Sequence, residues 1–301
     1  MLLRDMLKNG TDRLKACGIE NAEGDARLLA MHVLGMDYTR LFMELDKNLE
    51  DEAVSAYNGL IEKRGTHYPC QYIIGTQDFM GYTFTVSEHV LIPRPETELL
   101  VEQALRATVD KRTCNVLDMC CGTGCIGISY ILERRKRGNF DDRLTLVDLS
   151  PYAVQLSENN SFLHDISCDI IKSDMFEYRA SSEVDAATEK TSGALYDMIM
   201  TNPPYIKSSD IDALMEEVSR FEPRLALDGM EDGLYFYRRI IKEARNYLSE
   251  NGCFICEIGY NQYDAVYSLL VDNGYSDIEL TRDYAGLDRV VSAYMRDKFR
   301  L

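Results

Sequence analysis

The segment Tyr196-Asp197-Met198-Ile199-Met200-Thr201-Asn202-Pro203-Pro204-Tyr205 concentrates more chemistry than any other stretch of the chain. An apolar run leads straight into an asparagine and two prolines, Pro203 and Pro204, which hold the backbone extended and lack N–H donors. Carbonyl oxygens are then the groups left to point outward. An amide nitrogen is a poor nucleophile because its lone pair is delocalised into its own carbonyl. If the side-chain oxygen of Asn202 and the backbone oxygen of Pro203 each accept one N–H, the nitrogen is fixed with one face toward an incoming methyl group. Positive charge developing on it is stabilised by the same two oxygens, and no general base is needed before the methyl moves. Tyr205 can stack on the planar group and exclude water. Taken alone, Asn-Pro-Pro is an ordinary strand end closed by a turn; its surroundings decide the matter.

A second constellation lies upstream. Val116-Leu117-Asp118-Met119-Cys120-Cys121-Gly122-Thr123-Gly124-Cys125 reads as a hydrophobic strand ending near an acid, then a glycine-bearing turn, then a helix start. Such a turn lets a ligand approach the backbone, and the helix N-terminus offers unpaired N–H groups. Further on, Leu146-Val147-Asp148 ends another strand with an acid placed to accept hydrogen bonds from ribose hydroxyls. A glycine turn alone is as often purely structural; its pairing with Asp148 favours a nucleotide-like cofactor and leaves NAD and S-adenosylmethionine both open. Asp118 could hold the turn or receive the amino group of a methionine moiety. Met175, after Ser173-Asp174, falls beyond the third strand, where an adenine is commonly sandwiched, and reads equally as a core methionine.

These residues need elements to position them. From Thr97 onward helices alternate with buried strands: a helix over Glu98–Ala107, strands over Asn115–Met119, 144–148, 170–171 and Tyr196–Thr201, a helix over 235–248, a strand over 253–257, and a closing strand pair over 277–281 and 289–294. The pattern implies an α/β domain built on a parallel sheet with right-handed crossovers. Residues 1–75 read as four or five short helices, with apolar positions Leu28, Leu29, His32, Val33 and Leu41, Phe42, Leu45 at helical spacing. Between about 70 and 90 the pattern turns β-rich, in Gln71-Tyr72-Ile73-Ile74-Gly75 and Tyr82-Thr83-Phe84-Thr85-Val86 joined around Gly81, which suggests a hairpin linker. The weakly patterned stretch 178–194 reads as a mobile surface loop. The expected domains are therefore 1–75, 76–95 and 96–301.

Composition narrows the function. A formal charge of −17 over 301 residues disfavours a general affinity for nucleic acid, which rests on neutralising phosphates. No apolar run approaches the ~18 residues of a membrane span, and charges interrupt the start Met1-Leu2-Leu3-Arg4-Asp5, so neither membrane insertion nor export is expected. Nine cysteines, several within apolar strands, fit reduced thiols in a cytoplasm.

The chain resembles the HemK/PrmC family, the protein-(glutamine-N5) methyltransferases of peptide chain release factors. The resemblance is carried by Tyr72-Ile73-Ile74-Gly75 with Phe79, Gly81 and Phe84, by Val90-Leu91-Ile92-Pro93-Arg94-Pro95-Glu96-Thr97-Glu98, by Asn202-Pro203-Pro204-Tyr205-Ile206, by Glu222-Pro223-Arg224-Leu225-Ala226-Leu227 with Glu231-Asp232-Gly233-Leu234, and by Glu257-Ile258-Gly259 with Gln262. It implies a Rossmann-like class I methyltransferase sheet with an antiparallel C-terminal strand pair, and a helical N-terminal domain that helps grip the release factor, joined by a β-hairpin. It implies catalysis at Asn202, Pro203, Pro204 and Tyr205, with a Gly-Gly-Gln glutamine entering beside Asn202. It further implies S-adenosyl-L-methionine as cofactor, leaving as S-adenosyl-L-homocysteine, with contacts from Cys120, Cys121, Gly122, Thr123, Gly124, Asp148, Met175 and Asn202. Two departures stand out. Cys120 occupies a family glycine position and touches cofactor affinity rather than fold; Met175 stands where the family often has an aromatic.

The alternative enzyme is an amino-methyltransferase for adenine or cytosine in nucleic acid, which shares the Asn-Pro-Pro-Tyr geometry and must extrude its base. The charge, and the absence of a clustered basic recognition domain, count against it. A metal centre is not expected: Cys253 and Cys256 are three apart on a strand and so face opposite sides, and Cys120, Cys121 and Cys125 lack a second ligand group.

Overall fold

A computed structural model describes residues 1–180 and 195–295. By internal contacts the chain divides into one unit of Met1–Thr76 with Leu214–Phe221, and a second of Gln77–Ala213 with Glu222–Leu301. The first unit begins with helices α1 (Leu3–Ala16), α2 (Ala22–Leu34), α3 (Tyr38–Met43), α4 (Asp51–Gly65) and α5 (Cys70–Ile74). Their core gathers Leu3, Met6, Leu14, Leu29, Leu41, Tyr57 and Ile61. Adjacent apolar positions separate here: Leu29 and Leu41 are buried, whereas Leu28 and Phe42 are exposed, the Phe42 ring lying under the Arg27 guanidinium. A buried ion pair joins Arg64 to Asp25 at 2.7 Å.

The expected strand over Gln71-Tyr72-Ile73-Ile74-Gly75 is instead helix α5. Pro69 precedes its first turn, and Gly75 takes the left-handed conformation (φ 84°) that closes it, its N–H reaching Gln71 O at 2.7 Å. The hairpin itself is β1 (Thr76–Phe79) and β2 (Tyr82–Thr85). Its Phe79 and Phe84 are buried in the core of the second unit.

The second unit continues with α6 (Glu98–Ala107), β3 (Asn115–Met119), α7 (Cys125–Lys136), β4 (Arg143–Asp148), α8 (Pro151–Leu163), β5 (Asp169–Lys172), α9 (Glu177–Ala180) and β6 (Tyr196–Thr201). After α10 (Glu216–Phe221), which belongs to the first unit, come α11 (Arg224–Leu227), α12 (Tyr235–Ala244), β7 (Leu248–Glu257), α13 (Tyr263–Asp272), β8 (Tyr275–Arg282) and β9 (Asp288–Met295). Among the described residues the sheet has the order β5-β4-β3-β6-β7-β9-β8; all neighbours are parallel except β9, which runs antiparallel to both β7 and β8. This is the α/β fold that the alternation implies. Of the stretch 178–194 read as a loop, residues 181–194 lie outside the described residues.

The central strands are apolar on both faces because both are covered. Val116, Met198, Met200 and Ile255 pack with Leu100, Ala104, Ile128 and Tyr130 in one layer. Leu117, Ile199 and Phe254 pack with Tyr237, Ile240, Ile241, Val266 and Leu270 in the other. Cys253 falls in the first layer and Cys256 in the second, so the C-x-x-C pair does not converge. The helix expected over 235–248 ends at Ala244. The Tyr247 carbonyl accepts the Tyr196 N–H at 2.8 Å and Leu248 pairs with Tyr196, so the backbone has already joined the sheet although Leu248 keeps the helical apolar spacing.

Candidate active site

In this strand order β4 and β5 follow β3 on one flank while β6, entered from β5, returns to the other, so the order reverses at β3 and opens a crevice beyond the carboxyl ends of β3 and β6. Both sequence constellations lie there. After β3 the backbone turns through three left-handed residues, Cys120 (φ 60°), Gly122 (φ 56°) and Gly124 (φ 78°), before α7 begins. Cys120 thus adopts the conformation that a glycine takes freely. Asp118 is fully buried and its Oδ2 accepts the Gly127 N–H at 2.9 Å, pinning the first turn of α7 over the strand end. Its Oδ1 is buried without a hydrogen-bond partner among the described residues. Burial pushes the Asp118 carboxyl up to about 7, against the opposing pull of the Gly127 N–H.

Asp148, at the end of β4, accepts Gly122 N–H on Oδ2 and Ser150 N–H on Oδ1, both at 2.9 Å. Burial raises its carboxyl above the usual range while these N–H groups work the other way. On α8, Ser157 donates to Gly122 O at 2.9 Å, and Asn160 donates to Thr123 O at 2.9 Å and to Thr85 O at 3.1 Å. The turn is therefore held from three sides.

A cleft of about 140 Å³ opens at this point. Of the expected residues, its wall brings together Cys120, Cys121, Gly122, Thr123, Asp148, Asn202 and Pro204. Five others stand outside the wall. Asp118 and Gly124 shape the turn from beneath. Met175 is buried in the second core layer with Met119 and Val147. Pro203 is buried. Tyr205 packs against the same layer and donates its hydroxyl to Glu257 Oε1 at 3.0 Å, so the phenol is anchored rather than presented at the cleft.

Residues that motif reading did not assign complete the wall: Val90, Arg94 and Thr97 from the segment before α6, Leu149 after β4, and Phe236 on α12. Arg94 is paired with Glu222, whose side chain is buried. Arg94 and Thr97 lie in the Ile92-Pro93-Arg94-Pro95-Glu96-Thr97-Glu98 stretch and Val90 just before it, a segment that carries the family resemblance but gives no sign in sequence of its place in the site. Behind the wall, Gln262 donates to Tyr205 O at 3.0 Å and to Gly233 O at 3.1 Å, and accepts the Gly259 N–H at 2.9 Å. It thereby fixes the backbone just after the two prolines.

Comparisons with known proteins place the chain in a family. Residues 5–75 match the family described as the PrmC N-terminal domain, and residues 95–221 match the methyltransferase small domain. A release factor glutamine methyltransferase from Clostridium botulinum is 35% identical over 297 residues, covering 97% of this chain and 99% of that protein. The chain belongs to the release factor glutamine methyltransferase family. Another member, from Geobacter sulfurreducens, is 36% identical over 274 residues, 91% of this chain and 90% of its own. A solved protein-(glutamine-N5) methyltransferase, release factor-specific, from Alicyclobacillus acidocaldarius is 26% identical, with 68% of this chain and 95% of that chain covered and a TM-score of 0.41. As in the rest of the family, the chemistry is methyl transfer.

Proposed function

We propose that this methyltransferase uses S-adenosyl-L-methionine to methylate the side-chain amide nitrogen of the glutamine in the Gly-Gly-Gln motif of peptide chain release factors. The observation that carries the reading is Asn202, which shares one cleft wall with the turn 120–123 and with Asp148. An amide acceptor and a nucleoside-reading acid thus face the same space. The residues present suit the cofactor: Asp148 keeps carboxylate lone pairs beyond the two backbone N–H groups it binds, Gly122 lets a ligand approach the turn, and Val90, Leu149 and Phe236 give apolar wall.

When bound, S-adenosyl-L-methionine supplies a methyl on a sulfonium, and the C–S electron pair stays with sulfur as S-adenosyl-L-homocysteine. The protein's own task is to make an unreactive nitrogen available. Asn202 Oδ1 and the Pro203 carbonyl each accept one N–H of the glutamine amide, which directs its π face outward and stabilises charge as the N–C bond forms. The surplus proton then leaves to solvent.

Residues 1–75 are proposed to help grip the release factor, 76–95 to act as a hairpin linker, and 96–301 to carry the transfer chemistry. Cytoplasmic residence is proposed with them: all nine cysteines are free thiols, and among the described residues no helix is long and apolar enough to cross a membrane. The test is incubation of the purified protein and an Asn202→Ala variant with labelled S-adenosylmethionine and a release factor from the same source, followed by peptide mass spectrometry. A methyl on the Gly-Gly-Gln glutamine that vanishes in the variant supports the assignment. Methyl transfer to nucleic acid instead would move it to an exocyclic base amine.

A further inference from the structure

A side-chain amide can present either its oxygen or its NH₂ to a ligand, and nothing in the asparagine itself selects between them. We propose that Thr97 is a positioning residue for methyl transfer, which together with the buried carboxylate of Glu257 dictates that Asn202 offers its oxygen to the acceptor nitrogen. This rests on the reading of Asn202 as the group that accepts the substrate N–H.

The argument follows the direction of the hydrogens. Glu257, at the end of β7, is 2% exposed; burial raises its carboxyl, the Thr97 and Tyr205 hydroxyls and the Arg289 charge pull it back down, and as a carboxylate its two oxygens only accept. Oε1 takes the Tyr205 hydroxyl at 3.0 Å and Oε2 takes the Thr97 hydroxyl at 2.5 Å. Thr97 has one hydroxyl hydrogen, and it is committed to Glu257. Toward Asn202 the Thr97 oxygen can therefore only accept, and the atom that meets it is Asn202 Nδ2, at 3.4 Å. That bond is long, as hydrogen bonds at an acceptor site commonly are before substrate tightens them. With Nδ2 engaged, Oδ1 is the end of the amide left for the cleft. The opposite orientation would set Asn202 oxygen against the Thr97 lone pairs and turn NH₂ toward a substrate that is itself a donor.

The location of Thr97 supports the same conclusion. It is the last residue of a 3-10 turn (Pro95–Thr97) that runs straight into α6, with helical φ −67° and ψ −20°, so its hydroxyl is not engaged in capping the helix. It is 3% exposed and lines the same cleft as Asn202. Its hydroxyl serves the chain Asn202 → Thr97 → Glu257 instead. Through Tyr205, the same carboxylate also anchors the far end of Asn-Pro-Pro-Tyr, so one acid sets both ends of the motif.

The test compares Thr97→Val, which removes the hydroxyl and keeps the shape, Thr97→Ala, which removes it without β-branching, and Thr97→Ser, which retains it. The full-length variants are assayed for kcat and KM on a release factor, for S-adenosylmethionine affinity by calorimetry, and for Tm. The expected result is a kcat lower by about 10- to 100-fold in Thr97→Val and Thr97→Ala, with cofactor affinity within about twofold, and recovery to within about threefold in Thr97→Ser. Parental kcat in Thr97→Val or Thr97→Ala, or equal losses in all three variants, would overturn the positioning role. Transfer by Asn202→Ala at the parental rate would instead overturn the reading of Asn202, so the two failures are separable.

Discussion

Asp118 and Gly127 are joined by a buried hydrogen bond of 2.9 Å that fastens the first turn of α7 to the end of β3. The acid making it is fully enclosed, and its carboxyl is raised from 3.8 to about 7, by burial first, against the Gly127 N–H and with the nearby Asp148 charge adding to it. Between those values the folded protein holds a proton that the unfolded chain has released. The resulting stabilisation is complete below about 4 and is lost as pH rises toward about 7, at roughly 1.4 kcal/mol per unit. Asp118→Asn, which cannot ionise, is expected to be progressively less sensitive. Urea midpoints from pH 5.5 to 8.5 should show the parent losing ground to the variant until about pH 7 and then a constant difference. Parallel curves would show that Asp118 does not titrate in this range.

Cys120 holds φ 60° on the cleft wall, where its family resemblance places glycine. Removing its Cβ relieves backbone strain and forfeits some packing, and the two effects nearly offset. Cys120→Gly is expected to change stability by less than about 1 kcal/mol, whereas β-branched Cys120→Val should lose about 2 kcal/mol or more. Chemical denaturation of both variants checks this. A Cys120→Val protein as stable as the parent would mean that the turn does not hold the left-handed conformation.

The strands that build the cleft were legible because β3, β6 and the core of β7 are covered on both faces and read as unbroken apolar runs. Where two local signals competed, pattern reading failed. Ile73 and Ile74 suggest a strand, yet the flanking Pro69 and left-handed Gly75 make a helical turn; Leu248 extends the apolar stripe of α12, yet pairing with Tyr196 draws it into the sheet. In the site, Asn202, Asp148 and the turn 120–123 carried their own motifs. Thr97 and Glu257 stood in segments of the resemblance without any role of their own, because they meet across 160 positions and acquire one only when α6 and β7 are brought together. Tyr205 was legible as part of a motif, but its hydroxyl's attachment to Glu257 was not.

Gln262 ties three separate backbone segments together through Tyr205 O, Gly233 O and Gly259 N, and is 8% exposed. Gln262→Leu keeps most of the volume and leaves these groups unsatisfied. A loss of about 2–4 kcal/mol is expected in urea unfolding, since buried polar groups without partners cost about 1–3 kcal/mol each. Because Tyr205 closes the Asn-Pro-Pro-Tyr segment proposed to hold the substrate amide, kcat should fall as well. A variant with parental stability would show that water replaces the glutamine amide at little cost.

Two tasks are proposed for Asp148, holding the turn and reading the ribose, and a conservative substitution separates them from simple loss of charge. Its carboxylate oxygens each accept a backbone N–H, from Gly122 and from Ser150, so the side chain is oriented before any ligand arrives, and its remaining lone pairs suit ribose hydroxyls. In Asp148→Asn the new NH₂ must confront one of those two N–H donors, and the group that remains is neutral. Hydrogen bonds to a charged partner contribute about 1.5–3 kcal/mol, so S-adenosylmethionine affinity is expected to fall by roughly 10- to 100-fold. The decrease should appear in calorimetric titration of the isolated protein, without any acceptor substrate, and should spare the release factor's KM once the cofactor is saturating. Unaltered affinity in Asp148→Asn would remove the ribose contact from Asp148 and leave it only the work of holding the turn at Gly122.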